Sequence, residues 1–202
     1  MLKQLMVLSM LALAGAAQAD DKQTAHSLLS GNGGGWSHGG FSERSLYVYN
    51  TNNIQSWDSY DDSNNVTDSI FLGANAHITG IGWDVELMTL RSPSWLSEIA
   101  VGFESSAGLQ LTLAPGAGDN FGGSDTYSSG GVVDLIGLGL DFNLGADGIL
   151  GLDFFENFDD FSDTAEGLWK QGALTIQYEV IPAPSALALM GLGGLVATRR
   201  RR

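Results

Sequence analysis

Between His77 and Leu90 the apolar residues fall on every second position. Ile81, Trp83, Val85 and Leu87 share one parity, and Gly82, Asp84 and Glu86 share the other. A strand turns successive side chains to opposite faces, whereas a helix returns to one face every third or fourth residue. The spacing therefore specifies a strand buried on one side. The pattern recurs with Trp95, Ile99, Val101 and Phe103 on one face and Glu98 and Glu104 on the other. It returns as Leu109, Leu111, Leu113, then as Ile136, Leu138, Leu140, Phe142 within Val132 to Phe142. Leu150, Leu152, Phe154 and Phe158 repeat it, and Leu174, Ile176, Tyr178 and Val180 close the series. Shorter strands are expected around Leu46 and Val48 and around Ile70-Phe71-Leu72.

Turn-forming residues separate these runs. Asn50 to Asn65 is rich in Asn, Ser and Asp, which bond to their own backbone and favour turns. Pro93, the Gly/Asp/Ser stretch Pro115 to Gly131, Gly145-Ala146-Asp147-Gly148 and the acidic stretch Asp159 to Gly167 break the chain again. No stretch of twelve residues between 20 and 181 shows a helical period, and no internal repeat is present. Eight or nine short strands with one wet face each point to an all-β fold, an antiparallel β-sandwich of jelly-roll type. A barrel is the alternative. The division expected is a signal peptide over 1–19, a flexible Gly-rich segment over 20–44, a sandwich over 45–181 and a sorting signal over 182–202. The first and last of these are expected as an N-terminal signal helix and a short C-terminal hydrophobic helix.

Charge narrows the partners. The chain has no cysteine, so it has neither disulfides nor thiolate chemistry. All 23 acidic residues lie in the body, which holds only four basic ones (Lys22, Arg44, Arg91 and Lys170), so the body carries −19 against −14 for the whole chain. Such a surface repels phosphate backbones and anionic head groups, which excludes nucleic acid and anionic lipid as partners of the body.

The two ends differ from the body. Lys3 precedes an apolar run from Leu5 to Ala14, and Ala17-Gln18-Ala19 follows, which is the layout of a secretory signal peptide cleaved after Ala19. Near the other end, Pro182-Ala183-Pro184 is followed by an apolar run, Ala186 to Ala197, and then by Arg199, Arg200, Arg201 and Arg202. This three-part segment resembles the PEP-CTERM sorting signal of exported bacterial proteins, with Ala183 where the family has Glu. The resemblance implies an exosortase-type processing enzyme as partner and a transient membrane anchor. Twelve apolar residues give ~18 Å of helix against a hydrocarbon core of ~30 Å, so flanking residues must extend the span. The arginines mark the cytoplasmic side.

Chemistry is sparse. There is no H-E-x-x-H, no phosphate loop and no dinucleotide fingerprint. His26 and His38 match no metal spacing, and His77 is the one histidine in the strand-rich region. The densest polar constellation is Asp153, Glu156, Asp159, Asp160 and Asp163, a candidate calcium set because clustered carboxylates offer the oxygens Ca2+ requires. Trp36, Trp57 and Tyr60 lie in loop-like stretches and are candidates for a carbohydrate platform, whereas Trp83, Trp95 and Trp169 read as core. The order Trp83-Asp84-Val85-Glu86-Leu87, Ser92-Pro93-Ser94-Trp95, Phe155 to Asp160 and Gly167-Leu168-Trp169 looks like the jelly-roll accessory domains of secreted proteins, such as the P domain of subtilisin-like proteases. That resemblance implies a non-catalytic role. The expected function is an exported cell-envelope or extracellular protein, not an enzyme, with a structural or interaction role. The alternatives are a carbohydrate-binding module of the extracellular matrix and a secreted hydrolase.

Overall fold

The computed structural model describes residues 44–180. The expectations for Ala17, Ala19, the Gly-rich entry segment up to residue 43 and the segment Pro182 to Arg202 lie outside the described residues.

Two antiparallel sheets form the body. The first joins Arg44–Asn50 (β1), Gly167–Glu179 (β11), His77–Thr89 (β4) and Ser124–Ser128 (β7) in the order β1-β11-β4-β7. Ile54–Ser56 (β2) adds to β11, and Val133–Asp134 (β8) and Phe142–Asn143 (β9) add to β4. The second sheet runs Val66–Phe71 (β3), Ile149–Glu156 (β10), Ile99–Ser105 (β5) and Gly108–Leu113 (β6), in the order β3-β10-β5-β6. Sequence neighbours such as β3 and β4 thus lie in different sheets.

One hydrophobic core joins the sheets. Ile81, Val85, Leu87, Trp169, Leu174 and Ile176 enter it from the first sheet, and Ile99, Val101, Phe103, Leu150, Leu152 and Phe154 from the second. Phe154 bridges them: its ring stacks on Tyr49 at 6.0 Å and meets Trp169 edge-on at 5.4 Å. Each fully buried side chain of this size contributes about 1.5–3 kcal/mol through removal of apolar surface from water, which is how a chain without disulfides holds two sheets together.

The sandwich has a third layer on one side. The outward face of β10 and β5 is covered by the loop over 57–65. Tyr60 packs edge-on against Phe155 at 5.5 Å, and a Cβ on Gly102 would lie 3.4 Å from the Tyr60 ring. Asp61 N–H donates to Asp153 Oδ1's partner oxygen, Oδ2, at 2.9 Å. Phe155 and Asp153 are therefore buried although they point away from the core.

Several expectations about faces are corrected, among them that of Leu109, which lies over Gly102 on the outer face while Leu111 and Leu113 enter the core. The run from Val132 to Phe142 is not one strand. Asp134 accepts a hydrogen bond from Ile136 N–H, Leu135–Leu138 makes a single helical turn (α1), and Gly139 ends it at φ 68°. Ile136 and Leu138 are consequently exposed, and Leu135 and Phe142 are the buried members. Trp95 is exposed because the backbone turns before β5: Glu98 N–H donates to Trp95 O. Phe158 lies past the end of β10 and Val180 past the end of β11, and both are exposed.

Candidate functional site

The chain's polar chemistry gathers at the end of the sandwich where β4 and β10 finish. Three segments meet there: the turn over 90–98, the loop over 114–123 and the acidic loop over 157–166. Leu90 N–H donates to Glu166 O at 2.6 Å, and Asn157 N–H donates to Glu98 O at 2.7 Å. The loops are thereby fixed to one another through their backbones.

Two carboxyls lie inside this junction. Glu156, the last residue of β10, is 1% exposed, and Ser56 Oγ–H donates to its Oε1. Glu166 is 0% exposed and is held on three sides. Its Oε1 accepts from Asp160 N–H at 3.0 Å and Phe161 N–H at 2.7 Å, and its Oε2 accepts from Ser94 Oγ–H at 2.7 Å. Burial pushes the Glu156 carboxyl up to about 8, against the pull of the Ser56 hydrogen bond, and the charges of Glu166, Glu98 and Asp160 add to the rise. Burial also raises Glu166 and Glu98, the latter against a hydrogen bond from Trp95 N–H. Gly167 makes room for the pair, since a Cβ there would stand 2.4 Å from Glu156 Oε1 and 2.5 Å from Ser56 Oγ.

The arrangement locks loops. A glycoside-cleaving carboxyl pair must face the bond it breaks, and neither of these carboxyls reaches the surface. Their visible work is to cap backbone N–H groups and to tie Ser56, Ser94 and the acidic loop to the end of β10.

The five proposed calcium ligands do not converge. Asp153 lies under the 57–65 loop, and Glu156 lies inside the sandwich end. Asp159 Oδ1 accepts from Phe161 N–H, and Asp160 donates its N–H to Glu166. Asp163 Oδ1 accepts from Asn64 Nδ2, while its N–H donates to Asp58 Oδ1. Among the described residues no group of three or more acidic or histidine side chains is spaced to hold a metal ion. Strand pleating separates the set: Asp153 and Glu156 sit on opposite faces of β10, so closeness in sequence does not become closeness of carboxylates.

His77 lies at the other end of β4. Its Nε2 is 2.7 Å from Asp141 Oδ2, in a half-buried pair, and no serine bonds to it among the described residues. Trp57 and Tyr60 make no open platform: both are half-buried, and the Tyr60 hydroxyl donates to Glu104 Oε1 at 2.9 Å.

Beside the carboxyl junction a cleft of about 460 Å3 opens to solvent. Thr89 to Trp95 form one wall and Asn120 to Gly123 the other. Trp95 is 42% exposed and Phe121 is 75% exposed, and Arg91 stands between the acidic loop and the opening, its Nε–H directed at Ala165 O. Alternation places Trp95 in the core, so the cleft is invisible to that rule. The signal that marks it is turn chemistry, Pro93-Ser94 followed by Ser97-Glu98, in which Glu98 reaches back to Trp95 N–H at 2.7 Å.

No family model matches the chain, and no curated protein does either. Among solved structures it is similar to the crystal structure of infectious bursal disease virus VP2 subviral particle, at 14% identity and a TM-score of 0.28. The match covers 79% of this chain and 50% of that one, so this chain spans about half the length of that protein. A superposition this loose carries no argument.

Proposed function

We propose that this chain is an exported bacterial protein of the cell envelope or extracellular space, with a structural or interaction role and no catalytic one. In this reading a signal peptide is removed after Ala19, and Pro182-Ala183-Pro184 with the apolar run and Arg199 to Arg202 acts as a sorting signal. An exosortase-type enzyme cleaves that signal, which holds the protein to the membrane until then. The body is a sandwich of jelly-roll type. Support for that type comes from the strand order β1-β11-β4-β7 over β3-β10-β5-β6, in which the connections β3–β4, β4–β5, β6–β7 and β10–β11 each cross from one sheet to the other, as in a sandwich of two Greek keys.

The observation that carries the reading is that the body closes on itself between the two terminal segments. Arg44 pairs with Glu179 in register, and their side chains form an ion pair at 3.0 Å. The first and last strands of the described body thus pair with each other, with Arg44 and Glu179 at one end of one sheet. The buried carboxyls and His77 add support, because each is engaged in bonds within the body.

Intact-mass and terminal-peptide analysis of the protein recovered from its producing cells tests the proposal. A mature chain that begins at Asp20 and lacks Arg199 to Arg202 is expected. Recovery of a chain that still ends in Arg202 would overturn the processing step.

A further inference from the structure

We propose that the cleft between Leu90–Trp95 and Asn120–Gly123 binds a neutral polysaccharide. Large aromatic side chains are normally withdrawn from water, and Trp169, Phe103 and Phe154 here are fully buried. Trp95 and Phe121 are not, and both border the same concavity. An exposed indole beside polar side chains suits a ligand with an apolar face and a hydroxylated rim, which is the surface a pyranose ring presents.

The walls are fixed before any ligand arrives. Leu96 N–H donates to Phe121 O at 3.0 Å and Ser97 N–H to Asp119 O at 3.0 Å, so the two aromatics ride on segments bonded to each other. Thr89 and Gly123 exchange two more bonds, Thr89 N–H to Gly123 O and Gly123 N–H to Thr89 Oγ1, each 2.8 Å. Beneath them, Ser94 is tied to the buried Glu166. A site held this way avoids much of the ordering cost that weakens loop-built sites.

Arg91 sets the polarity. Residues 44–180 contain three basic side chains. Arg44 is paired with Glu179 and Lys170 with Glu86, whereas Arg91 makes no ion pair among the described residues. Its guanidinium is available to donate hydrogen bonds to hydroxyls at the cleft. One arginine among twenty acidic side chains in the same span does not reverse the sign of the surface field. That field repels a polyanionic glycan, so the ligand class is neutral.

The inference rests on the exported-interaction reading only for where the ligand is met, and its test is read on purified protein, independently of processing. Affinity electrophoresis of the full chain is run in gels containing starch, a β-1,3-glucan, a galactomannan or alginate. Retardation by at least one neutral polysaccharide is expected, with none by alginate. Trp95→Ala should weaken that retardation by about tenfold or more, as expected for an exposed aromatic anchor. Arg91→Gln should weaken it by a smaller factor, and Trp95→Tyr, which keeps a ring, should retain most of it. Thermal melts of each variant confirm that the fold is intact. The proposal is overturned if no neutral polysaccharide retards the wild type, if only alginate does, if Trp95→Ala binds like the wild type, or if the cleft captures peptides and no glycan.

Discussion

Glu156 ends β10 inside the sandwich, and its Oε2 accepts no hydrogen bond among the described residues. A buried carboxylate with one satisfied oxygen is expensive, so the neutral acid is the favoured form, with its pKa raised from 4.5 to about 8. The sign of the linkage follows. The folded state holds a proton that the unfolded state releases above its ordinary carboxyl pKa, so this residue's contribution is fully present below that value. Stability is lost as pH rises from there through about 8, and Glu166 and Glu98, also raised, act in the same direction. Glu156→Gln keeps the shape and removes the proton. Melting midpoints measured at pH 5 and pH 9 should show the variant close to wild type at the lower pH and more stable at the higher one. The gap at pH 9 should be on the order of a few kcal/mol. Parallel curves across that range would mean that Glu156 does not titrate as its surroundings imply.

Single extra residues decide which faces the strands present. In β11, Trp169 pairs with Leu87 and Gln171 with Glu86, so Lys170 is a bulge. The bulge lets odd-numbered Trp169 and even-numbered Leu174 and Ile176 all enter the core. In β4, Thr79 is the extra residue, and Ile78 joins Ile81 inside although their parities differ. In β6, Gln110 is extra, and Leu109 lies over Gly102 on the outer face while Leu111 is in the core. Alternation in the sequence therefore locates β4, β5, β10 and β11 and most of their inward residues, because burial of one face imposes it. Bulges carry no apolar signature of their own, so residues across them are not assigned by parity. The turn at Asp134 to Gly139 is legible in retrospect as an N-cap and a left-handed C-terminal glycine. At the candidate site, the acidic loop is legible, but Ser56, Ser94 and Glu98 come from segments that only the fold brings to it. Gly172, two residues past the Lys170 bulge, tests the element. Its φ is 125°, and a Cβ there would stand 2.2 Å from Asp84 O, a backbone atom of the neighbouring strand. Gly172→Ala should lower stability by roughly 2 kcal/mol or more, read as a fall in the denaturant midpoint. A midpoint equal to wild type would show that β4 and β11 can separate there without loss.

At the scale of the whole molecule, charge opposes the core. Residues 44–180 hold twenty acidic and three basic side chains, a net −17 in the span that folds. Two exposed ion pairs, Arg44 with Glu179 and Lys170 with Glu86, relieve little of this, because exposed pairs are themselves weak and screened. The repulsion that remains is long-ranged at low salt, where the screening length is about 30 Å at 0.01 M, and short-ranged at physiological salt, where it is about 8 Å. Sodium chloride should therefore raise the melting midpoint between these conditions, the opposite of what a fold held by surface ion pairs would show. Divalent cations screen the same charge more strongly, so calcium and magnesium should both stabilise. The two ions should do so equally at matched concentration, because Asp153, Glu156, Asp159, Asp160 and Asp163 are held apart by separate bonds and offer calcium no shared cage. A midpoint that rises with calcium but not with magnesium, and falls back on chelation, would mean that a selective site binds the folded state. Equal responses would leave the acidic loop as a set of structural clamps, with its charge serving solubility rather than metal binding.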